Sequence, residues 1–374
     1  MSVPAIVLFG VDIVRFLIDL GTTYTLFLVV SLTLNLEAGF AGVPNFGKVM
    51  FVAAGAAIAG SVCGRLAALI LGINTLGNYN GHIAQIITQI DARLSNDVTL
   101  SLALILFGLV LAAGIGGALG FLASYPAIRL REDYLGMLLL ASAQLFQIFL
   151  GGYEPLIGGT QGIEVPDLFA WAGNETGVRD VVVLGFLAGF ALLVYFYVER
   201  VARSPLGRTL RAVRDNEVAA RALGKDDVAI RRNVIIVAAA ISGMAGALLT
   251  FYVGSVGSET WTRIEWTFWI WVMVIMGGAA NNAGVALGAF SFTFLFKAVD
   301  QVKFQFQSYI PFDVNWFEYL LFASLLILIL VFRPGGILPE RSSNTIPWRT
   351  VNEIMGPKAK GSQKRTDNSE REPT

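Results

Sequence analysis

The sequence predicts an all-α polytopic membrane protein with about nine transmembrane helices (eight to ten). Hydrophobic residues make up 55% of the 374 residues and charged residues only 14%, whereas soluble domains are about a quarter charged. The charges are also unevenly placed, because long uncharged runs alternate with short polar segments. About 20 apolar residues cross a bilayer as a helix, so these runs read as spans.

Nine apolar runs of suitable length follow one another along the chain. The predicted spans are 21–36, 47–72, 98–126, 134–152, 180–199, 233–254, 265–280, 284–299 and 315–332. The uncharged stretch 266–296 is divided at Gly277-Gly278 and Asn281-Asn282, because two glycines and two asparagines make a poor helix interior.

The N-terminal segment 1–20 is predicted to form an interfacial helix that leads into the first span. Asp12, Arg15 and Asp19 are three or four residues apart and share one helical face. Charge in the middle of a bilayer is costly, which favours this placement over the alternative, an additional span. The segment lacks the basic region and the cleavage pattern of a signal peptide.

Basic residues in the loops predict the orientation. The loop 199–232 contains nine Lys/Arg against five Asp/Glu, whereas 152–180 contains five acidic residues and one basic residue. The chain is therefore predicted to lie in the cytoplasmic membrane with a cytoplasmic C-terminus, and its polar tail 339–374 to be disordered. Cytoplasmic loops are predicted at 127–133, 200–232 and 281–283, and external loops at 73–97, 153–179, 255–264 and 300–314.

One cytoplasmic helix is predicted within the loop 199–232. Ser204-Pro205 provides an N-cap and a first-turn proline, and Gly224 provides the left-handed residue that ends a helix. The apolar face of this helix contains Leu206, Leu210, Val213 and Ala220, with Glu217 in its middle. Periodicity and basic composition fit both docking in a protein groove and lying on an anionic membrane surface.

The same loop carries a recognisable motif. Residues 217–224 read EVAARALG, which resembles the Glu-Ala-Ala…Gly loop of ABC importer permeases. The longer run RTLRAVRDNEVAARALG, with ISGMAGA at 241–247, resembles the branched-chain amino-acid permease family, LivM-type subunit. This resemblance implies that 199–232, here called the coupling loop, sits on a separate ATPase subunit. The coupling residues it implies are Arg211, Asp215, Asn216, Glu217, Ala219, Ala220, Leu223 and Gly224.

Further blocks resemble the same family, in its order, from about Tyr24 to Leu338. They are LNL with GFAG and FG at 34–47, RLR with DY at 129–134, GGTQGI at 158–163, MGG at 276–278, and FRPGG at 332–336. One such pattern would be weak, but this many in order are specific. Lys48 departs from the family, which more often has a neutral or histidine side chain there.

The resemblance implies an ABC importer transmembrane domain at 21–338. It would move branched-chain amino acids, or a related small polar solute such as urea or an amide. The implied partners are a second homologous permease subunit, two ABC ATPase subunits that bind ATP and Mg²⁺, and an extracytoplasmic solute-binding protein. The permease pair could be a hetero- or a homodimer.

The resemblance implies a transport subunit, and the chain's own residues argue against an enzyme. It contains no G-x4-G-K-[ST] run, so it cannot hydrolyse ATP by the usual route. One cysteine and one histidine exclude a disulfide scaffold and a His/Cys metal site. We predict no cofactor in this chain and no nucleic-acid partner.

Two glycine-rich breaks are candidates for the substrate path, because exposed backbone groups there can face a polar cavity. The candidate residues, which include a late Gly-Gly pair, are Asn35, Glu37, Gly39, Gly42, Gly158, Gly159, Thr160, Gly162, Gly277 and Gly278. Glu37 stands at a span end, where it could snorkel to the interface or serve transport. Glycines within 114–120 are predicted to allow close helix packing.

The alternative function is an ATP-independent secondary transporter or channel for a small solute. Such a protein needs ionisable residues within the membrane, and Arg65 is the main candidate for one in the predicted spans.

Overall fold

The computed structural model describes residues 7–8, 11–73, 79–130, 132–173, 176–303 and 314–340. These residues belong to one compact unit, Met1–Glu340. The predicted tail from 341 onward lies outside the described residues.

Helices form nearly all of this unit. Ten of those in the described ranges are α1 (Ile13–Leu34), α2 (Lys48–Ile70), α3 (Ile83–Leu94), α4 (Val98–Arg129), α5 (Glu132–Gly152), α7 (Thr176–Arg203), α10 (Asp227–Val253), α11 (Trp269–Gly277), α12 (Asn282–Val302) and α13 (Val314–Phe332). Three further helices lie in the connections between these and are α6 (Glu154–Ile157), α8 (Pro205–Asp215) and α9 (Glu217–Ala222). Within the described ranges, π-helical segments extend α1 over Asn35–Phe40 and precede α11 over Ile264–Phe268.

The predicted fold class is confirmed. Among the described residues, seven helices are long and apolar enough to cross a membrane. Two shorter apolar helices, Ile264–Gly277 and Glu318–Phe332, coincide with the predicted spans 265–280 and 315–332. The division of 266–296 is also confirmed, because α11 ends at Gly277 and α12 begins at Asn282.

The N-terminal segment 1–20, predicted as an interfacial helix that leads into the first span, is helical from Ile13 onward. Residues 13–20 form the first turns of α1, which continues without a break into the first candidate span, Ile13–Phe40. Before α1, the two-residue strands β1 (Val7–Leu8) and β2 (Val11–Asp12) pair antiparallel. Gly21 lies within α1, and its Cβ position is 3.0 Å from the Leu184 side chain.

Helices α2, α4 and α10 pack so closely that glycine is required at several contacts. A Cβ added to Gly246 of α10 would lie 1.9 Å from the Val52 carbonyl oxygen of α2. A Cβ on Gly116 of α4 would lie 2.6 Å from the Ala239 carbonyl oxygen of α10. The prediction of close packing within 114–120 therefore holds for Gly116 and for Gly120, whose Cβ would lie 2.7 Å from Ala239 Cβ, whereas Gly114 has nothing within 4 Å of its Cβ position.

The two ends of the unit are built differently. At one end, β3 (Ile163–Glu164) pairs antiparallel with β4 (Ser255–Val256), in the register Ile163↔Val256. At the other end, the π-helical end of α1 meets the coupling loop, the turn between α11 and α12, and the residues that follow α13. Most of the predicted site residues lie at this second end.

Candidate functional site

The coupling loop contains two helices, so the prediction of one helix from Ser204 to Gly224 is wrong. The predicted ends are correct: Ser204 Oγ accepts a hydrogen bond from Gly207 N, and Gly224 has a φ of 75°. Between them, Asn216 adopts extended backbone with φ −157° and ψ 98°, and α8 ends there. Its side chain accepts a hydrogen bond from Ala219 N at 3.0 Å and caps α9.

The break at Asn216 changes which side chains of the loop are buried. Of the predicted apolar face, Leu210, Val213 and Ala220 are buried within the chain itself, whereas Leu206 is 46% exposed. Val218 and Leu223 of the α9 region are 75% and 80% exposed. The most exposed large apolar side chains of the loop therefore lie in the α9 region.

Glu217 does not lie in an apolar face, as the single helix predicted. Its carboxylate contacts Arg221, and its Oε2 atom lies 3.1 Å from Nη1 of Arg231. Arg221 in turn forms two hydrogen bonds to the Asp227 carboxylate, at 2.6 and 2.9 Å. These ion pairs fasten α9 to the first two turns of α10.

Arg214 connects the coupling loop to the end of α1. Its Nη1 atom donates to the Gly39 carbonyl oxygen at 2.5 Å, and its Nη2 atom donates to Glu340 Oε2 at 2.9 Å. Its Nε atom donates to Asp215 Oδ1 at 3.0 Å. Partial burial works to lower the pKa of Arg214, but the carboxylates of Glu340 and Asp215 outweigh it and raise that pKa above its ordinary value.

Arg211 reaches the same region by different contacts. Its Nε atom lies 3.2 Å from Glu340 Oε1, and its guanidinium lies 5.1 Å from the centre of the Phe40 ring. A guanidinium over an aromatic face at this distance is attracted by the ring quadrupole. Glu340 therefore ties the residues after α13 to two of the three arginines of α8, Arg211 and Arg214.

Asn35 joins the π-helical segment to the turn between α11 and α12. Its Nδ2 atom donates to Asn282 Oδ1 at 2.8 Å, and its Oδ1 atom accepts from Ala280 N at 2.8 Å. A Cβ on Gly39 would lie 2.2 Å from that same Oδ1 atom. Only glycine therefore fits beside Asn35, and the segment closes directly on the turn.

The predicted late Gly-Gly pair lies against the segment that follows α13. Leu338 N donates to the Gly277 carbonyl oxygen at 3.0 Å, and Ile337 N donates to the Met276 carbonyl oxygen at 2.8 Å. Gly278 has a φ of 107°, and a Cβ there would lie 2.2 Å from the Leu338 carbonyl oxygen. The structure thus brings together Asn35, Gly39, Gly42, Gly277 and Gly278 with the coupling loop.

Glu37 forms an ion pair that is fully buried. Its Oε2 atom lies 2.7 Å from Lys48 Nζ, and both side chains are 0% exposed. Asn45 Nδ2 donates to both Glu37 oxygens at 3.1 and 3.2 Å. Lys48 Nζ also donates to Thr33 Oγ1 at 3.1 Å and to Ser242 Oγ at 3.3 Å. Glu37 therefore does not snorkel to an interface.

The sequence patterns do not predict that Glu37 and Lys48 form an ion pair. They place Glu37 at the end of a span and mark Lys48 only as a departure from the family. The available signal was that two opposite charges flank the short connection between the first two spans, where a hairpin of helices brings them together. Arg65, the predicted intramembrane candidate, instead donates to Ser61 Oγ at 2.6 Å and Asn80 Oδ1 at 3.3 Å, near the opposite end.

The second predicted glycine-rich break lies away from the first, at the end that contains β3 and β4. Gly158, Gly159 and Gly162 have φ values of 69°, 67° and 77°, and Thr160 is exposed. The structure does not bring these residues together with 35–42. Nearby, Asp91 Oδ1 accepts from Asp167 N at 2.9 Å, and burial raises the pKa of Asp91 to about 6.

Comparison with known proteins identifies the family of the chain. The family model described as branched-chain amino acid transport system / permease component matches residues 16–330. The chain is 34% identical to the probable branched-chain amino acid transport permease protein LivM of Methanocaldococcus jannaschii, over 89% of this chain and 96% of that relative. It is 30% identical to the high-affinity branched-chain amino acid transport system permease protein LivM of Salmonella typhimurium, over 62% of this chain and 56% of that relative.

A more distant similarity extends to a second kind of subunit. The chain is 24% identical to the LivH permease protein of the high-affinity branched-chain amino acid transport system of Salmonella typhimurium, over 67% of this chain and 79% of that relative. No solved structure matches the chain. Because the family model covers most of its length, this chain belongs to the family of permease components of branched-chain amino acid transport systems.

Proposed function

We propose that the chain is a permease subunit of an ATP-driven importer for branched-chain amino acids, and that its coupling loop docks on a separate ATPase subunit. Family membership supports transport of this substrate class. The observation that carries the docking proposal is the exposure of two apolar side chains of the loop, Val218 and Leu223, at 75% and 80%. The remaining partners would be a second, homologous permease subunit, a second ATPase subunit and an extracytoplasmic solute-binding protein.

The coupling loop has the rigidity that a docking element needs. The Asp227 carboxylate holds Arg221 and is itself only 5% exposed, so α9 is fixed on α10 by a largely buried group. Arg214 fixes α8 to the end of α1 in the same way. A force applied to Val218 and Leu223 would therefore reach the long helices directly, without first deforming the loop.

The first prediction tests docking through the double variant Val218→Asp/Leu223→Asp. Both side chains are exposed, so the fold should keep its melting temperature, since surface substitutions change stability by about 0.5 kcal/mol or less. Two carboxylates in an apolar contact should weaken it, because buried charges without partners are unfavourable. We expect the ATPase subunit recovered with the chain in mild detergent to fall by roughly tenfold, a loss of about 1.4 kcal/mol.

A matched control uses the same chemistry at the opposite end. Val253→Asp alters the last residue of α10, which is 53% exposed, and should leave recovery of the ATPase unchanged. Undiminished recovery with the double variant would contradict docking through α9. Absence of any ATPase from the wild-type preparation would contradict the importer itself.

One observation favours the alternative, an ATP-independent transporter. The Glu37–Lys48 pair supplies the intramembrane ionisable groups that such a protein needs. Both charges, however, already have partners within the chain, and neither side chain is accessible. Uptake by liposomes that contain the chain alone, driven by an ion gradient without ATP, would support the alternative over the importer.

The transported solute is identified by competition, in which unlabelled leucine, urea or an amide is added and the fall in uptake of labelled leucine is measured.

A further inference from the structure

The guanidinium of Arg214 is positioned by the fold and does not point freely into solvent. Its side chain is 23% exposed, and it holds the Gly39 carbonyl oxygen and the Glu340 carboxylate at once. Its stem passes over Gly42, where a Cβ would lie 2.8 Å from Arg214 Cγ. With a φ of 69°, Gly42 adopts the backbone that the sharp turn after α1 requires, and it leaves room for this stem.

The Gly39 carbonyl is a suitable acceptor for a cation. It lies in the last turn of the helix that ends at Phe40, where carbonyl groups lack a partner within the helix. The partial negative charge at a helix C-terminus favours a positive side chain in that position. Arg214 therefore binds the C-terminal end of the α1 helix, so that a displacement of Arg214 along the helix axis would displace α1 in the same direction.

The segment Asn35–Phe40, which contains Gly39, is π-helical, and single π-helical turns within α-helices are often found at functional sites. It carries Asn35 and Glu37, and their side chains fix it to different neighbours. Asn35 binds the turn before α12, and Glu37 binds Lys48 in the first turn of α2. Displacement of this short segment would therefore move the ends of α2 and α12 as well as α1.

We propose that Arg214 is the positioning residue through which movement of the coupling loop reaches the membrane-embedded helices, by way of the Gly39 carbonyl and the π-helical segment Asn35–Phe40. This inference rests on the proposed docking of the loop on an ATPase. The buried Glu37–Lys48 pair then acts as the fixed end of the connection, because a pair shielded from water moves as a unit with the helices that carry it.

The test measures coupling in the assembled transporter, reconstituted in liposomes with its ATPase. We expect Arg214→Gln to retain ATP hydrolysis and ATPase stoichiometry while leucine uptake per ATP hydrolysed falls by roughly tenfold. Arg214→Lys should recover part of the loss, because one ammonium can reach the Gly39 carbonyl or Glu340 but cannot bridge both as a guanidinium does. Glu340→Gln removes the carboxylate that Arg214 Nη2 contacts and leaves the hydrogen bond from Arg214 to the Gly39 carbonyl oxygen. Uptake per ATP should therefore fall much less in Glu340→Gln than in Arg214→Gln.

Uptake per ATP within about twofold of wild type in an assembled Arg214→Gln transporter would overturn the proposal. Equal losses in Arg214→Gln and Glu340→Gln would also overturn it, because the connection would then run through the segment after α13. Loss of the ATPase subunit from Arg214→Gln would make Arg214 a docking residue and would overturn the inference, while the proposed function would stand. Only a wild-type preparation without ATPase would remove the proposed function itself.

A second measurement does not depend on how well Arg214→Gln folds. Cys63 is the single cysteine of the sequence, so Cys63→Ser gives a background without thiols. A Cβ on Gly42 would lie 3.3 Å from Arg214 Cβ, close to the roughly 3.5–4.5 Å that a disulfide spans. In the double variant Gly42→Cys/Arg214→Cys, oxidation should raise uptake per ATP and reduction should lower it again by roughly tenfold. The variant Gly42→Cys/Arg214→Ala cannot form the cross-link, and it controls for the strain of a side chain at a φ of 69°. Failure to cross-link, or uptake per ATP that does not respond to the cross-link, would contradict the proposed connection.

Discussion

At the scale of single residues, the Glu37–Lys48 pair is the most unusual feature of the molecule. Removing two charges from water is costly, and their attraction offsets this cost only when further hydrogen bonds satisfy the remaining groups. Asn45 supplies such bonds to Glu37, and Thr33 and Ser242 supply them to Lys48. The cluster draws on α1, α2 and α10, so it fixes the relative positions of three helices.

Removal of one charge from this pair should destabilise the fold strongly. In Glu37→Gln the Lys48 ammonium keeps only two hydroxyl partners, and in Lys48→Met the Glu37 carboxylate keeps only Asn45. We expect each single variant to lose about 3–5 kcal/mol of unfolding free energy. The double variant Glu37→Gln/Lys48→Met should recover most of it, because no unpaired charge is left. Thermal unfolding in detergent measures all three, and additive losses would contradict the pairing.

At this scale the sequence predicts positions better than partners. Gly39, Gly42 and Asn35 were selected as a glycine-rich break, and the structure places them in one connected region. The partner of Glu37 was not predicted, because which of many charges approach each other depends on how α1 and α2 lie side by side. The contact of Arg214 with Gly39 joins residues 175 positions apart, and a local pattern carries no signal for it.

At the scale of elements, the coupling loop shows which features local chemistry determines. Ser204 and Gly224 were predicted as its helix ends, because capping depends on the residue at the cap itself. The break at Asn216 was not predicted, because asparagine is tolerated within a helix when its side chain points outward. Here the ion pair between Glu217 and Arg231 holds α9 against α10, and Asn216 caps the start of α9. This contact depends on where α10 lies, which a local sequence pattern does not show.

The close packing of α2 against α10 predicts that a larger side chain at Gly246 would force the two helices apart. A valine at Gly246 would place its Cβ 1.9 Å from the Val52 carbonyl oxygen, which belongs to backbone and cannot rotate away. The two helices would have to separate, so we expect Gly246→Val to lower the unfolding free energy by about 3 kcal/mol. Gly114→Val is the matched control in α4, because its Cβ position has nothing within 4 Å. Equal melting temperatures for the two variants would contradict the close approach of α2 and α10.

At the scale of the whole molecule, the predicted path residues are divided between two ends. The end with the coupling loop contains 35–42 and the Gly277-Gly278 pair, and the other end contains the break at 158–162. A single sequence predicts which segments cross the bilayer, because hydropathy is a local property. It does not predict that a helix end, a loop and the residues after α13 converge, since this convergence depends on the packing of all the long helices.

The division between two ends gives a prediction of orientation that the charges of the loops support. Basic residues are concentrated in the coupling loop, with nine Lys/Arg against five Asp/Glu, which predicts that this end lies in the cytoplasm. In the Cys63→Ser background, Thr160→Cys and Lys225→Cys each add one thiol at an exposed position, at opposite ends of the unit. A membrane-impermeant maleimide added to right-side-out vesicles should label Thr160→Cys at once and Lys225→Cys only after the membrane is opened. The reverse pattern would invert the orientation, and with it the side on which an ATPase could reach α9. Labelling of both before opening would mean that the two ends do not lie on opposite sides of the membrane.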